Sequence, residues 1–177
     1  MQCRSHQLSN GHHAGSQVSA IKLSTKSLGE DSVPIAVRAI TNCKASLAHA
    51  DISDIIAGRP EAEVLAVLRQ VSAALAECRL AHLDISDNAL GEKGVRACSA
   101  AMTFQTDLKG LHLKNIGCSV AACAAVNELV QCTTLEVLRL HNNMSGDQGA
   151  SAIANLLSRS PDMQARIQHM THMFVRA

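Results

Sequence analysis

LAHLDISDNALGEKGVRA, at residues 80–97, is the stretch from which the fold can be predicted. The spacing of Leu80, Leu83 and Ile85 is that of a short strand and the residues that lead into it. Asn88 follows where the strand ends. A buried asparagine amide at that point can hydrogen-bond the backbone of neighbouring coils. A turn and the beginning of a helix come next. One such unit cannot bury its own apolar face, so the fold depends on whether the pattern recurs.

The pattern occurs five times along the chain. The units begin at Val18, Leu47, Leu80, Leu108 and Leu135. The last apolar strand positions are spaced by 29, 33, 28 and 27 residues, and they are Leu23, Ile52, Ile85, Leu113 and Leu140. Such steps are typical of leucine-rich repeats in which a full helix follows each strand. The sequence therefore predicts an α/β leucine-rich repeat solenoid of the ribonuclease-inhibitor-like type, an arc with parallel strands on the concave side and helices on the convex side.

The segments between the strands carry helical periodicity. Apolar residues recur at three- and four-residue steps from Val64 to Cys78, and Pro60 is placed to be the first residue of that helix. The same spacing from Val95 to Met102 predicts one helix in the next unit.

Three regions follow from these patterns. Residues 1–16 are rich in Ser, Gly, His and Gln, and we expect them to be disordered. Residues 17–162 form the array of about five units. Residues 163–177 are predicted to be an irregular tail, because Arg166 stands where the pattern requires a leucine, and we expect fast amide exchange beyond Arg159.

Composition limits the classes of partner. The 177-residue chain has a net charge of +1, which argues against nucleic acid as a partner. Apolar runs are too short for membrane insertion, and the N-terminus lacks the apolar middle of a signal peptide. The seven cysteines include no CxxC pair, so we expect reduced thiols and a cytoplasmic or perinuclear location. We further expect a monomer.

Histidine and aspartate residues are predicted to lie side by side on the concave strands, for example His82 and Asp84. A metal site needs three or four converging ligands, and this pattern spreads them over a shallow surface, which favours a polar wall. The sequence contains no catalytic triad, glycine-rich phosphate loop or metal motif, so an enzyme with its own active site is not indicated.

Polar pairs follow the strands at one rim of the predicted arc. These pairs are Ser53–Asp54, Ser86–Asp87, Lys114–Asn115 and His141–Asn142. Side chains in such loops on a rigid scaffold commonly form a binding surface.

One of these loops is longer than the others. The 33-residue step contains the insertion IIAGRPE at residues 55–61. Gly58 permits an unusual backbone angle and Pro60 restricts its own, so we expect Arg59 to point in a defined direction. Two alternatives remain open for Arg59, a functional side chain or an arginine that caps the surface or pairs with Asp54.

Three stretches carry a family resemblance: SDIIAGRPEAE at residues 53–63, SDNALGEKGVRA at 86–97 and HNNMSGDQGASAIA at 141–154. The chain resembles the leucine-rich domain of Ran GTPase-activating proteins of the plant type, from Val18 to Asp162. The resemblance implies that the rim binds the small nuclear-transport GTPase Ran and stimulates its GTP hydrolysis. GTP and Mg²⁺ would be carried by Ran, and this chain would need no cofactor and would not itself be an enzyme.

The resemblance also implies roles for individual residues. It implies that Arg59 and Asn115 take part in catalysis. Arg59 matches the arginine of the family's long loop, where it would bond a carboxylate of Ran or order its own loop, and Asn115 matches the asparagine that helps to position the catalytic glutamine of Ran. We expect neighbouring contacts to the partner from five further residues: Asp54, Asp87, Lys114, His141 and Asn142.

The chain also departs from the family pattern. It has no tryptophan for the Trp-Pro-Pro targeting domain, fewer repeats and no acidic tail, and Ile116 replaces a polar residue. These departures lead us to expect a fragment or truncated form. The alternative function is a passive protein-interaction module without activating activity.

Overall fold

The computed structural model describes residues 17–89 and 91–160. This part of the chain is an α/β structure in which strands and helices alternate. The strands are β1 (Ala20–Lys22), β2 (His49–Asp51), β3 (His82–Asp84), β4 (Gly110–His112) and β5 (Val137–Arg139). The helices are α1 (Val33–Cys43), α2 (Glu61–Ala76), α3 (Gly91–Ala97), α4 (Ser99–Thr103), α5 (Val120–Leu129) and α6 (Gly146–Ser158).

The five strands form one parallel sheet in the order of the chain. Equivalent positions of consecutive units pair directly, as when Ala50 aligns with Leu83 and Leu83 with Leu111. The middle residue of β2 to β5 is buried against the helices, whereas the flanking residues face the other side of the sheet. The predicted alternation of the strands is therefore confirmed.

The core consists of stacked apolar positions that the repeat pattern predicts. The first leucine of units two to five, as at Leu80, is at most 1% exposed, and the last strand position of those units, as at Ile85, is at most 4% exposed. Full burial of such a side chain contributes roughly 1.5–3 kcal/mol to folding. Because each position packs on its counterparts in adjacent units, the units stabilise one another.

Two buried asparagine amides connect adjacent units. Asn88 accepts a hydrogen bond from the backbone N–H of Ile55 at 2.9 Å and donates to the carbonyls of Ile52 and Ile85. This confirms the role predicted for Asn88. Asn143 occupies the same position in unit five and accepts from the backbone N–H groups of Ile116 and Cys118, both at 3.1 Å.

The structure corrects two local predictions. Pro60 has an extended backbone with ψ of 146° and precedes the helix, which begins at Glu61. The helix predicted from Val95 to Met102 is interrupted at Cys98, where ψ is 9°, so α3 and α4 are separate. The described residues contain no helix with the length and apolar character needed to span a membrane.

Several predictions concern residues outside the described part of the chain. These are the disordered segment 1–16, the burial in the core that the repeat pattern of residues 80–97 predicts for Leu90, the irregular tail 163–177 and the substitution at Arg166.

We expect the substitution Asn88→Ala to destabilise the fold by about 2–4 kcal/mol, because it leaves buried backbone groups of Ile52 and Ile55 without partners. Urea denaturation checks this value, and Asn155→Ala on the exposed face of α6 is the matched control. A loss equal to that of the control would contradict the role of the amide.

Candidate functional site

A row of residues with left-handed backbone conformation follows the five strands. We call it the rim row, and its φ angles lie between 50° and 61° at Thr25, Asp54, Asp87, Asn115 and Asn142. Asn and Asp tolerate this conformation better than other non-glycine residues. The polar pairs predicted at the rim are therefore explained in part by the backbone that they must adopt.

Backbone hydrogen bonds connect the members of the rim row. The N–H of Asp54 donates to the carbonyl of Ser86 at 3.0 Å, and the N–H of Asp87 donates to that of Lys114 at 2.8 Å. The N–H of Asn115 donates in the same way to the carbonyl of His141 at 3.1 Å. Each turn is thus held by the following unit, which fixes the spacing of the side chains.

Three of the predicted site residues form one hydrogen-bonded cluster around Asp87. Asn115 Nδ2 donates to Asp87 Oδ1 at 3.0 Å, and Lys114 Nζ lies 3.3 Å from Asp87 Oδ2. Asn115 is exposed, whereas Asp87 and Lys114 are half-buried. The carboxylate therefore anchors two side chains of the next unit and leaves the asparagine amide at the surface.

The hydrogen-bond partners of Arg59 do not include Asp54, the partner that the sequence suggested. Its Nε donates to Ser27 Oγ at 3.0 Å, and its Nη1 lies 3.3 Å from Glu63 Oε1. Its Nη2 also reaches the carbonyl of Ser27 at 3.4 Å. The guanidinium thus ties the long loop to unit one and to the first turn of α2, and the alternative pairing with Asp54 is wrong.

A cleft of about 750 Å³ connects Arg59 with Asp87. Its walls come from the long loop, the first turns of α2 and α3 and the turn before α3, and they include Ile56, Glu61 and Lys93. Asp87 therefore faces both the cleft and the Asn115 side of the rim row. No direct hydrogen bond or ion pair joins Arg59 to Asn115 in the described residues.

The remaining predicted contacts lie along the same rim but outside the Asp87 cluster. Asp54 precedes the long loop and is half-buried. His141 and Asn142 follow β5, where His141 is half-buried and Asn142 is exposed.

The exposed face of the sheet carries a second group of polar side chains. The rings of His49 and His82 stack with centroids 4.7 Å apart, and His112 Nδ1 lies 3.2 Å from Asp84 Oδ2. Among the described residues, no three His, Cys, Asp or Glu side chains are placed to hold a metal ion.

Burial, hydrogen bonds and neighbouring charges shift the pKa values of two side chains on this face. Burial raises the pKa of Asp84, but hydrogen bonds from His112 and Ser86 outweigh that effect and hold the pKa below its usual value. Burial, together with the neighbouring His49 and His112, lowers the pKa of His82. Near neutral pH these shifts favour the carboxylate form of Asp84 and the neutral form of the His82 ring.

The apolar periodicity of the sequence does not indicate the partners of Arg59 or the ion pair of Asp84 with His112. A spacing of four residues on one helical turn could have indicated Glu63 as a partner of Arg59. Ser27 lies 32 residues before Arg59, and no local pattern connects them. The second buried amide, at Asn143, was recognisable from its position in unit five.

About half of the chain is similar to two GTPase-activating proteins of a plant. RAN GTPase-activating protein 1 of Arabidopsis thaliana is 43% identical over 93 residues, which cover 52% of this chain and 17% of that protein. RAN GTPase-activating protein 2 of the same plant is 45% identical over 98 residues, which cover 55% of this chain and 18% of that protein. The chain thus spans less than a fifth of either relative, and the predicted resemblance to these proteins is confirmed.

More distant similarities extend beyond Ran-directed proteins. Rho GTPase-activating protein gacW of Dictyostelium discoideum is 26% identical over 99 residues, which cover 52% of this chain and 9% of that protein. No model of a protein family matches the chain. Leiomodin-1 Actin-Binding Site 2 (ABS2) superposes with a TM-score of 0.60 and 18% identity over 82% of each chain, which shows a shared fold alone.

We expect Gly29→Ala to release Arg59, because a Cβ there would lie 2.7 Å from Arg59 Nη1 and 2.8 Å from Glu63 Oε1. Amide hydrogen exchange of the long loop, residues 55–61, should then become about tenfold faster. Arg59→Ala should give the same increase, and Arg69→Ala on the exposed face of α2 should not. Unchanged exchange in both loop variants would show that these contacts do not order the loop.

We expect Asp84→Asn to reduce stability at pH 7 and to have little effect near pH 3. The folded-state pKa of Asp84 is lowered, so its stabilisation is present above the unfolded-state value of about 3.9 and is lost as pH falls through the folded-state value. Urea midpoints at the two pH values measure the difference, with exposed Asp107→Asn as the control. A deficit that persists unchanged at low pH would contradict the electrostatic origin.

Proposed function

We propose that residues 17–162 form a leucine-rich repeat solenoid arc of the ribonuclease-inhibitor-like type. Neighbouring strands in a sheet lie about 4.8 Å apart, whereas packed helices lie about 8–10 Å apart. A stack of units with strands on one side and helices on the other must therefore curve towards the strands. The in-register pairing of β1 to β5 supports this proposal.

We propose that the chain stimulates GTP hydrolysis by a Ran-type small GTPase. The observation that carries this proposal is the identity of 43–45% with two Ran GTPase-activating proteins over about half the chain. GTP and Mg²⁺ belong to the GTPase in this proposal, and the activator has no cofactor of its own. We also propose that the protein is a monomer with a cytoplasmic or perinuclear location.

Asn115 is proposed as the residue that positions the catalytic glutamine of the partner. Its side chain is exposed, and one amide hydrogen is engaged by Asp87 at 3.0 Å. Among the described residues no other group bonds the side chain, so its carbonyl oxygen and second amide hydrogen can face a partner. An amide that is fixed on one side can orient a glutamine by donating and accepting at once.

Arg59 is proposed to act by ordering the cleft wall. Its guanidinium contacts Ser27 and Glu63, so it is already engaged before any partner arrives. Activators that insert an arginine stabilise transition-state charge with it, and an engaged guanidinium is poorly suited to that role. Ordering of the long loop would shape the cleft that Asp87 also lines.

The other rim residues are proposed as partner contacts. Lys114 and Asp87 present opposite charges 3.3 Å apart, and Asp54, His141 and Asn142 extend the polar surface to either side. Mixed charges of this kind favour orientation of a partner more than long-range attraction.

The test is single-turnover hydrolysis of Ran-bound GTP with and without the full chain. Asn115→Gly keeps the left-handed backbone and removes the amide, and it should reduce the stimulated rate on the order of 100-fold. Asn115→Asp should reduce the rate to a similar degree, because it replaces the donor by a second carboxylate beside Asp87. Asn155→Ala should be unaffected.

Binding measured in parallel separates the two functions considered from the sequence. Binding of GTP-loaded Ran without acceleration would support the passive interaction module and contradict activation. Acceleration that survives Asn115→Gly would contradict the role of Asn115 alone, and absence of both binding and acceleration would contradict a Ran-directed function.

A further inference from the structure

Two buried cysteine side chains are in contact close to the rim row. Cys118 lies three residues after Asn115, and Cys123 lies in α5. The sulfurs of Cys118 and Cys123 are 2.9 Å apart, and the residues are 1% and 0% exposed. A disulfide bond is about 2.0 Å long, so the two sulfurs are within about 1 Å of bonding distance. The four other described cysteines are also free thiols.

The beginning of α5 holds this pair together. Ser119 caps the helix, and its side chain accepts a hydrogen bond from the N–H of Ala122. Cys118 therefore precedes the cap and Cys123 is the fourth helical residue, which are the two positions whose side chains pack together at many helix starts. The backbone N–H of Cys118 is also bonded to Asn143, so the turn is fixed from the next unit.

The two thiols have different acidities. The hydrogen bond from Cys118 lowers the pKa of the Cys123 thiol, whereas the same contact and burial raise the pKa of Cys118. The Ser145 hydroxyl is buried close to Cys123 and further favours its thiolate. Cys123 lies in the first turns of α5, where backbone N–H groups favour an anion, whereas Cys118 precedes the helix. This position favours Cys123 as the nucleophile and Cys118 as the second, resolving thiol.

We propose that Cys118 and Cys123 are a redox modification site that forms an intramolecular disulfide when it reacts with hydrogen peroxide. Both sulfurs are buried, so the reaction requires local opening of the fold, and hydrogen peroxide is little larger than water. The proposal is independent of the proposed function, since it concerns the chemistry of this pair alone.

The reaction proceeds in two balanced steps. The Cys123 thiolate attacks one peroxide oxygen, the O–O bond breaks, and the departing hydroxide takes up a proton to become water, which leaves a sulfenic acid on Cys123. Cys118 sulfur then attacks the Cys123 sulfur and gives up its proton as the S–O bond breaks and a second water leaves. Two thiols are oxidised to a disulfide, and one peroxide is reduced to two waters.

The bond would join the turn that follows Asn115 to the first turns of α5. The sulfurs need to approach by about 0.9 Å to reach disulfide length. Reduction by a dithiol would restore the two thiols.

The experiment treats the reduced full chain with hydrogen peroxide, stops the reaction with catalase, and alkylates the remaining thiols. Trypsin releases residues 115–139, a peptide that contains Cys118, Cys123 and Cys132. We expect this peptide to lose two hydrogens and to keep its alkyl group on Cys132. Thiol loss at the pair should be at least about tenfold faster than at buried Cys98, and dithiothreitol should reverse it.

Variants test the assigned order of the two thiols. Cys118→Ala should stop the reaction at a sulfenic acid on Cys123 that dimedone traps, and this acid should form more slowly because the hydrogen bond from Cys118 is lost. Cys123→Ala should leave Cys118 reduced. Cys98→Ala is the matched buried control and should oxidise like the unmodified chain, while circular dichroism verifies that each variant is folded.

Two results would overturn the proposal. One is full alkylation of both Cys118 and Cys123 in the unmodified chain after peroxide has oxidised Cys98 or Cys132. The other is a peroxide-induced disulfide that uses different cysteines. A dimedone adduct on Cys118 in the Cys123→Ala variant would overturn the assignment of the nucleophile.

Discussion

The hydrogen bonds of the buried asparagine amides hold the stacked units in place. The side chain of Asn88 hydrogen-bonds backbone groups of unit two. In that unit the position equivalent to Asn88 is occupied by Ile55, which has no polar side chain. The side chain of Asn143 hydrogen-bonds backbone groups of unit four in the same way, and the residue of that unit equivalent to Asn143 is Ile116. A buried backbone N–H without a partner is costly, so each amide makes the preceding unit dependent on the next. The substitution at Ile116 is thereby accommodated.

The rim row depends on this arrangement. Residues such as Asp87 and Asn115 adopt a left-handed conformation that costs of order 1 kcal/mol in an isolated chain. Backbone bonds to the next unit hold them there and give the side chains a regular spacing. A partner that binds the rim would therefore meet side chains that are already oriented, which reduces the entropy lost on association.

The candidate site and the thiol pair share parts of the same scaffold. Asp87 faces the cleft with Arg59 on one side and anchors Asn115 on the other. Asn143 bonds the backbone of Ile116 and Cys118, which connect Asn115 to the thiols. The chemistry proposed for the thiols is thus located next to the proposed partner surface, although neither proposal requires the other.

The sequence by itself determined the units, the strand positions, the buried leucines and the role of Asn88, because apolar periodicity is local and recurs in each unit. It also indicated the polar rim, because polar pairs recur after the strands, and the long loop, because one step between units exceeds the others. Only the tertiary structure decided that Arg59 pairs with Ser27 and Glu63, that Asp87 anchors Asn115, and that Cys118 meets Cys123. Two of these contacts join residues 28 and 32 positions apart, and they depend on how the units stack. Periodicity places residues on a face but does not specify which side chains of neighbouring units come within bonding distance.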